Sequence, residues 1–336
     1  MLLSAALRSN QVPFVSGTVF RSVVVTTFAL ALGLSVGTAP SARAVGFSTS
    51  FADIAGEGFF DPVLGPQRRA AWQYALDVWA PLIEESYPGE SIRIEARMDP
   101  LEGNATSAVL GTTRPNGYVD NDIAVFPIAL WEHLTGANRS FIDVIATFNS
   151  AVDTTEVLTD RDWYYGTNGQ AGPDVDFVSV VLHEIAHGLG FASVVHPSGA
   201  WQLGLPSAYD RFLMQGSTNG TPFVDMPTPQ RLAALTSNDV YWFGPHGVAG
   251  NHGLPPKIQA PTTYRAGSSI SHLDETVFDL SLMSPFYDAP NHRFSPLELG
   301  ILADIGWNVV PEPAAAVLLA IGGTIVAIRR RVTVAA

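Results

Sequence analysis

The sequence predicts an α+β fold in which two lobes enclose a cleft. Three patterns carry this prediction: apolar residues at helical spacing over 66–90, apolar–polar alternation over 91–100, and a stretch rich in Gly, Pro and Asn over about 194–270. The N-terminal lobe, about 45–192, is therefore expected to hold a mixed sheet plus helices. The C-terminal lobe, about 193–310, is expected to be mostly irregular with a late helix.

The first predicted helix is the clearest single element. Over 66–90 it carries Trp72, Leu76 and Trp79 on one side, and Pro88-Gly89 is expected to end it. The alternating segment at 91–100 is predicted as a strand. The same patterns predict the remaining elements, which are strands or strand-edge pieces at 121–130 and 141–150, and helices at 207–215, 227–236 and 295–307.

The N-terminal end has the pattern of an export signal. Residues 1–44 contain Arg8 and Arg21, an apolar run over 23–36, and the small-residue site Ala42-Arg43-Ala44. A basic region, a short apolar region and an A-x-A site are typical of a secretory signal peptide. A membrane anchor or a buried helix is the alternative, but the run is short for a span. We therefore expect an exported protein.

The C-terminal end, 311–336, has three parts in a fixed order. Pro311-Glu312-Pro313 precedes an uncharged apolar stretch over 314–328 and three arginines at 329–331. The apolar stretch reaches about 22 Å as a helix, less than the roughly 30 Å of a bilayer core. The arginines are expected to hold this end at the cytoplasmic face.

This tail resembles the PEP-CTERM sorting signal of Gram-negative bacteria. The resemblance implies recognition by an exosortase-type sorting enzyme, transient membrane anchoring through the C-terminal helix, and loss of the tail. The localisation that it implies is the cell surface or the extracellular matrix, reached through the inner membrane. A permanent single-pass anchor is the alternative, and it leaves the same domain outside the cell.

The charge of the central part excludes nucleic acid as a partner. Only six of the 18 basic residues and one of the 31 acidic residues lie in the two ends. Residues 45–310 therefore carry 12 basic against 30 acidic residues, a net charge of about −18 with His neutral. Such a surface repels a polyanion and favours solubility.

The absence of cysteine restricts the chemistry. It excludes disulfides, thiolate zinc ligands and a cysteine nucleophile, so a metal must be held by His and carboxylate side chains. The acidic loop at 160–176 is a candidate calcium site, but it matches no EF-hand register. A solvated loop is the simpler interpretation.

The segment 179–193, SVVLHEIAHGLGFAS, contains the pattern HExxH. On a helix, His183 and His187 lie one above the other and can bind one zinc ion, and Glu184 lies close enough to act as a general base on water. Chance occurrence on an amphipathic helix is the alternative, because the bare pattern is common. The apolar lead-in at 176–182 and the glycines after His187 favour a Zn²⁺ site.

A catalytic zinc site needs a third protein ligand, and its identity is open at this point. The longer signature HExxHxxGxxH requires a histidine where this chain has Ser193. The alternatives are the five histidines that follow the motif, His196, His246, His252, His272 and His292, or a carboxylate such as Glu298.

The motifs HEIAHGLGF (183–191), SHLDE and SLMSP around His272 and Met283, and LGILADIGW (299–307) resemble the leishmanolysin-like branch of the metzincin metalloproteases. Bacterial exported putative metallopeptidases with the same tail are also similar. The resemblance implies that His183, His187 and His272 bind zinc, that Glu184 is the catalytic base, and that Met283 occupies a methionine turn beneath the metal. This chain departs from that branch because it has no cysteine.

These observations predict a surface-directed zinc endopeptidase, a hydrolase with 45–310 as its peptidase domain and a protein or peptide as its substrate. The segment 141–150 is the candidate strand for binding that substrate by backbone pairing. Tyr287 is a further candidate to assist at the metal, although an isolated tyrosine is more often a packing residue. The alternative function is a non-catalytic, zinc-containing surface or matrix protein.

Overall fold

A computed structural model describes residues 43–139 and 141–310, and every structural statement below concerns those residues. The predicted α+β class is confirmed. The predicted C-terminal sorting signal, and all but the last residues of the predicted signal peptide, lie outside the described ranges. Within them, none of the helices is both long enough and apolar enough to cross a membrane.

Six α-helices are present in the described residues. They are α1 (Gly65–Trp79), α2 (Ile128–Thr135), α3 (Phe177–Gly188), α4 (Thr228–Ala234), α5 (Pro245–Gly250) and α6 (Pro296–Ile305).

The strands are mostly short. They are β1 (Gly46–Phe51), β2 (Ser91–Asp99), β3 (Gly103–Asn104), β4 (Ser107–Ala108), β5 (Gly111–Pro115), β6 (Tyr118–Asp120), β7 (Val125–Pro127), β8 (Val144–Asn149), β9 (Trp163–Tyr164), β10 (Val175–Asp176), β11 (Leu213–Gln215), β12 (Thr221–Pro222), β13 (Val240–Trp242) and β14 (Lys257–Ile258).

The main sheet has the strand order β1-β2-β8-β5. The strands β1, β2 and β8 are parallel, and β5 pairs antiparallel with β8 at one edge. The predicted strand at 91–100 is confirmed as β2, and the segment 141–150 contains β8. Since β8 is paired on both sides, it has no free edge for a peptide, and the prediction that 141–150 binds substrate is wrong.

The helix α3 packs on β5 and β8 of this sheet and against α1. Phe177, its first residue, is fully buried, with its ring centroid 5.0 Å from that of Phe148 and 5.2 Å from that of Trp163. Burying a side chain of this size contributes about 1.5–3 kcal/mol. This aromatic contact holds the start of α3 on the sheet.

Helix α1 is shorter than the predicted 66–90. It ends at Trp79 and passes into a 3₁₀ turn, Ala80–Leu82. Pro81 lies in that turn, and proline removes a helical hydrogen bond and clashes with the preceding turn. Ile83 is then free to form a β-bridge with Val309, which the longer helix would have prevented.

One further predicted element is confirmed only in part, and another is wrong in type. The strand predicted at 121–130 is present as β7, but it is short because α2 begins at Ile128, directly after Pro127. The segment 207–215 is a short 3₁₀ turn followed by β11, because its backbone is held by the buried carboxylate of Asp210 and by strand pairing with Trp242. The helices at 227–236 and 295–307 are confirmed as α4 and α6.

The C-terminal half is less irregular than predicted. The strands β12, β11, β13 and β14 form a second, antiparallel sheet of four strands. Each of them is only two or three residues long, which is why the sequence carries little alternation there.

Both ends of the described domain meet at one segment, residues 82–85. Val45 N donates to Ile83 O at 2.9 Å from one side, and Glu84 N donates to Asn308 O at 2.8 Å from the other. The chain therefore enters and leaves the domain at the same place.

Candidate metal centre

The helix that carries HExxH begins at a well-formed cap. The Asp176 side chain accepts a hydrogen bond from Ser179 N at 2.8 Å, which satisfies one of the free N–H groups of the first turn. All but one of the residues of α3 are buried, His183 being partly exposed. His183 and His187 are four residues apart and lie on the same face.

Two glycines follow His187, and each has a separate role. Gly188 lets α3 approach the sheet, because a side chain there would collide with the Val144 side chain. Gly190 has φ of +106°, a conformation that favours glycine, and it turns the chain back so that Phe191 O accepts a hydrogen bond from His187 Nδ1 at 2.7 Å.

The structure brings together the imidazoles of His183, His187 and His272. Their Nε2 atoms lie 3.0, 3.1 and 3.2 Å from one another. Each Nδ1 is bonded to a backbone carbonyl: His183 to Leu282 O at 2.7 Å, His187 to Phe191 O at 2.7 Å, and His272 to Ser268 O at 2.9 Å. A carbonyl only accepts, so Nδ1 carries the proton and each Nε2 presents a lone pair.

This donor set fits a metal ion. Burial lowers the pKa of His183, lowers that of His187 to about 3, and lowers that of His272 well below its ordinary value, so all three rings are neutral at pH 7. Three neutral lone pairs that face one another repel unless a cation lies between them. Tetrahedral ligands at 2.0–2.1 Å are separated by about 3.3 Å, close to the observed Nε2 spacings.

The other candidate ligands lie elsewhere. His196, His246 and His252 are exposed, and His292 Nε2 is bonded to Asp176 at 2.7 Å. Glu298 is buried and uses both carboxylate oxygens in hydrogen bonds with Ser281, Met283 and Ser295. Of the alternatives that the sequence left open for the third ligand, the geometry brings only His272 to the pair on α3.

The turn at 281–283 positions two of the three histidines. Leu282 O accepts the hydrogen bond from His183 Nδ1, and Met283 O accepts one from Leu273 N, next to His272, at 3.0 Å. Met283 is fully buried, and its N–H donates to Glu298 at 2.9 Å. The candidate methionine therefore lies in a segment that is bonded to both sides of the cluster.

Ser193, where the longer signature requires histidine, has a structural role. Its Oγ donates to Asp210 Oδ1 at 2.5 Å, and its N–H donates to Ser271 Oγ at 3.1 Å. Asp210 is fully buried and also accepts hydrogen bonds from Val194 N and from Ser207. Ser193 thus joins the end of the motif to the 207–210 turn and to the residue before His272.

Glu184 lies beside the cluster and is only 6% exposed. Among the described residues it forms no ion pair, and outside the cluster its one polar side-chain neighbour is the Thr113 hydroxyl, which lies close by without normal hydrogen-bond geometry. Its carboxylate lies against the backbone of Gly111 on β5, and burial raises its pKa to about 8, with the neighbouring Thr113 hydroxyl opposing that shift. A cation held by the three histidines would stabilise the carboxylate and lower this pKa.

These groups face a cleft of about 810 Å³. It is lined by residues 108–113, by His183, Glu184 and His187 of α3, and by residues 279–282 and 284–291. Residues that precede position 192, the predicted lobe boundary, and residues that follow it therefore line the same cleft. A volume of this size is typical of small-molecule and peptide-fragment sites.

The edge strand β5 offers free backbone groups to the cleft. The backbones of Leu110 and Asn116, at its two ends, are hydrogen-bonded to the β8 side. Because bonding alternates along an antiparallel pair, the N–H and C=O groups of Gly111 and Thr113 point away from β8. No other backbone hydrogen bond among the described residues uses them.

A second part of the cleft lining, residues 284–291, is anchored to the start of α3. Asp176 N donates to the Tyr287 hydroxyl at 3.0 Å, and Asn291 N donates to Ser179 Oγ at 2.7 Å. His292 bonds to the same Asp176 carboxylate that caps α3. Tyr287 thus lines the cleft while its oxygen is bound to the helix start.

The candidate calcium loop at 160–176 offers no second metal cluster. Asp174 accepts a hydrogen bond from Asp162 N, and Asp176 is the helix cap. In the part of the chain that the structure describes, the three histidines are the one group of His and acidic side chains close enough to share an ion.

We expect the protein to bind one equivalent of a divalent metal, and His272→Ala to reduce that stoichiometry sharply, because two ligands on one helix bind far more weakly than three. The measurement is metal content by plasma mass spectrometry after dialysis against buffer. His196→Ala and His292→Ala are the matched controls, and both should retain the metal. Full metal content in His272→Ala would contradict the assignment.

We expect Ser193→Ala to lower the free energy of unfolding by about 1–3 kcal/mol, since it leaves part of a buried carboxylate without its donor. Metal content should be unchanged, because Ser193 does not contact the cluster. Denaturant unfolding measures the first effect and metal analysis the second. A stable variant that has lost its metal would show that Ser193 belongs to the metal site instead.

No protein-family model, curated protein or solved structure matches the chain. The case for a function therefore rests on the residues and contacts of the site itself.

Proposed function

We propose that the protein is a zinc-dependent endopeptidase. The observation that carries the proposal is the position of Glu184. Its carboxylate lies next to the histidine cluster and against the edge strand β5, inside a cleft, and no ion pair among the described residues explains its burial. An unpaired buried carboxylate costs free energy, so its place there needs a chemical reason.

Zinc is the metal that the donor set fits best. Three neutral imidazoles with no cysteine in the chain are the ligands of many catalytic zinc sites, which keep the fourth position open. When bound, zinc supplies a Lewis acid that polarises a carbonyl group and acidifies water.

The substrate proposed is a protein or peptide segment in extended conformation. It adds to the sheet beside β5, where the N–H and C=O groups of Gly111 and Thr113 are free to form a ladder. Residues 284–291 line the same cleft and would contact the side chains of the bound segment. The substrate-binding strand in this proposal is therefore β5, and not β8, which the sequence had suggested.

Glu184 moves the proton in the reaction. Its carboxylate takes a proton from the attacking water and delivers it to the nitrogen of the leaving amine as the peptide C–N bond breaks. Both transfers take place at a carboxylate that is nearly enclosed by protein, which keeps bulk water from competing for the proton.

The likeness to the leishmanolysin-like metzincins is part of this proposal. It is supported by the position of His272, 85 residues after His187, and by the bonds that join the 281–283 turn to the cluster. A two-lobed protease of that type requires a cleft formed by residues before and after position 192, and the cleft has such a lining. The proposal also includes export, anchoring by the tail and processing by an exosortase. Together these steps would deliver the protein to the cell surface.

The non-catalytic alternative explains fewer of the contacts. A structural zinc site is normally closed by four protein ligands, whereas the cluster offers three. A structural site also has no use for a buried carboxylate with no ion pair. Both features favour a site that acts on a substrate.

We expect the zinc-loaded protein to hydrolyse an unfolded protein such as casein, and Glu184→Gln to reduce kcat by at least about 10³-fold while zinc content is unchanged. Glutamine keeps the shape of the side chain but cannot take a proton. The measurement is the release of new amino groups, with the zinc content and the fold of the variant checked in parallel.

Two outcomes would contradict the proposal. Full zinc occupancy without hydrolysis of any member of a broad peptide panel would favour the non-catalytic alternative. Hydrolysis that persists in Glu184→Gln would assign the reaction to another group.

A further inference from the structure

The Thr113 hydroxyl is buried on β5 and has no hydrogen-bond partner among the described residues. Buried hydroxyl groups are nearly always paired, so an exception in a native structure calls for an explanation. Thr113 is one residue of a free edge strand, and its side chain faces α3, next to the carboxylate of Glu184. The Thr113 hydroxyl, which needs an acceptor, therefore lies beside the Glu184 carboxylate, which can accept its hydrogen bond.

The rest of the Thr113 side chain is held in place. Its methyl carbon would lie 3.0 Å from a side-chain carbon at position 188, so the methyl group fills the space that Gly188 leaves open on α3. β-Branched side chains have few allowed rotamers. Contact of the methyl group with the last turn of α3 thus restricts where the hydroxyl can point.

The neighbouring position on β5 leaves room for the carboxylate. A side-chain carbon at Gly111 would lie 2.9 Å from Glu184 Oε1 and 2.8 Å from Glu184 Cγ. Gly111 and Thr113 share one face of β5 because side chains alternate along a strand. Glu184 therefore lies against two alternate residues of the edge strand. At Gly111 the missing side chain leaves room for it, and at Thr113 it faces a hydroxyl group.

We propose that Thr113 is a positioning residue for the general base, and that its hydroxyl donates a hydrogen bond to the Glu184 carboxylate during turnover. The inference rests on the proposed function. One strand then has two tasks: its backbone binds the peptide on the open edge, and its side-chain face orients the base.

Two substitutions separate the hydroxyl from the methyl group. Thr113→Val keeps the branched shape and the contact with Gly188 but removes the donor, whereas Thr113→Ser keeps the donor. We expect Thr113→Val to reduce kcat by about 10- to 100-fold with KM and zinc content little changed, and Thr113→Ser to retain most of kcat.

The reverse pattern would overturn the inference. If Thr113→Val keeps kcat within about twofold, the hydroxyl does not act on the base. If Thr113→Ser loses as much of kcat as Thr113→Val, the methyl packing and not the hydrogen bond is what matters.

A second readout does not depend on turnover. Acetohydroxamate binds zinc and offers a proton to a nearby carboxylate, so its affinity for the zinc-loaded protein reports on the position of Glu184. Calorimetry should show weaker binding to Thr113→Val than to wild type and to Thr113→Ser. Equal affinities in all three proteins would contradict the inference.

The two readouts distinguish the possible failures. A wild-type protein that binds acetohydroxamate with the expected dependence on Thr113 but hydrolyses no peptide would disprove the proposed function and leave the role of Thr113 intact. A wild-type protein that hydrolyses peptides, with Thr113→Val unchanged in both assays, would disprove the role of Thr113 alone.

Discussion

The close approach of α3 to the main sheet is the constraint on which the site depends. Gly188 permits it, because any side chain there would collide with Val144. The approach places Glu184 against Gly111 of the edge strand, and it puts His183 and His187 in the lining of the cleft. Without this contact the helix would still present two histidines, but they would be separated from the strand that is proposed to bind substrate.

A second constraint is the use of backbone carbonyls to orient the histidines. Each Nδ1 donates to a carbonyl from a different segment: the turn after α3, the loop before His272, and the 281–283 turn. Carbonyls carry no net charge and are held by the fold, so they set both the ring orientation and the tautomer before a metal arrives. The buried carboxylates of Asp210 and Glu298 stabilise those segments, and neither contacts the cluster.

Local patterns in the sequence predicted the parts of the site that depend on local structure. The HExxH helix, the strand at 91–99 and the late helix follow from periodicity and capping within a few residues. The early end of α1 was also readable, since Pro81 forbids a longer helix. The edge position of β5 was not, because strand order depends on pairing between distant segments. The same is true of Thr113, whose role appears only when a strand and a helix far apart in sequence are brought together.

The central claim is that three histidines bind one metal ion and leave a coordination position open. X-ray absorption spectroscopy at the zinc edge of the loaded protein tests it most directly. We expect a first shell of three imidazole nitrogens at about 2.0–2.1 Å and one light-atom ligand from solvent. A shell with fewer than three imidazoles, or one closed by a fourth protein ligand, would contradict it.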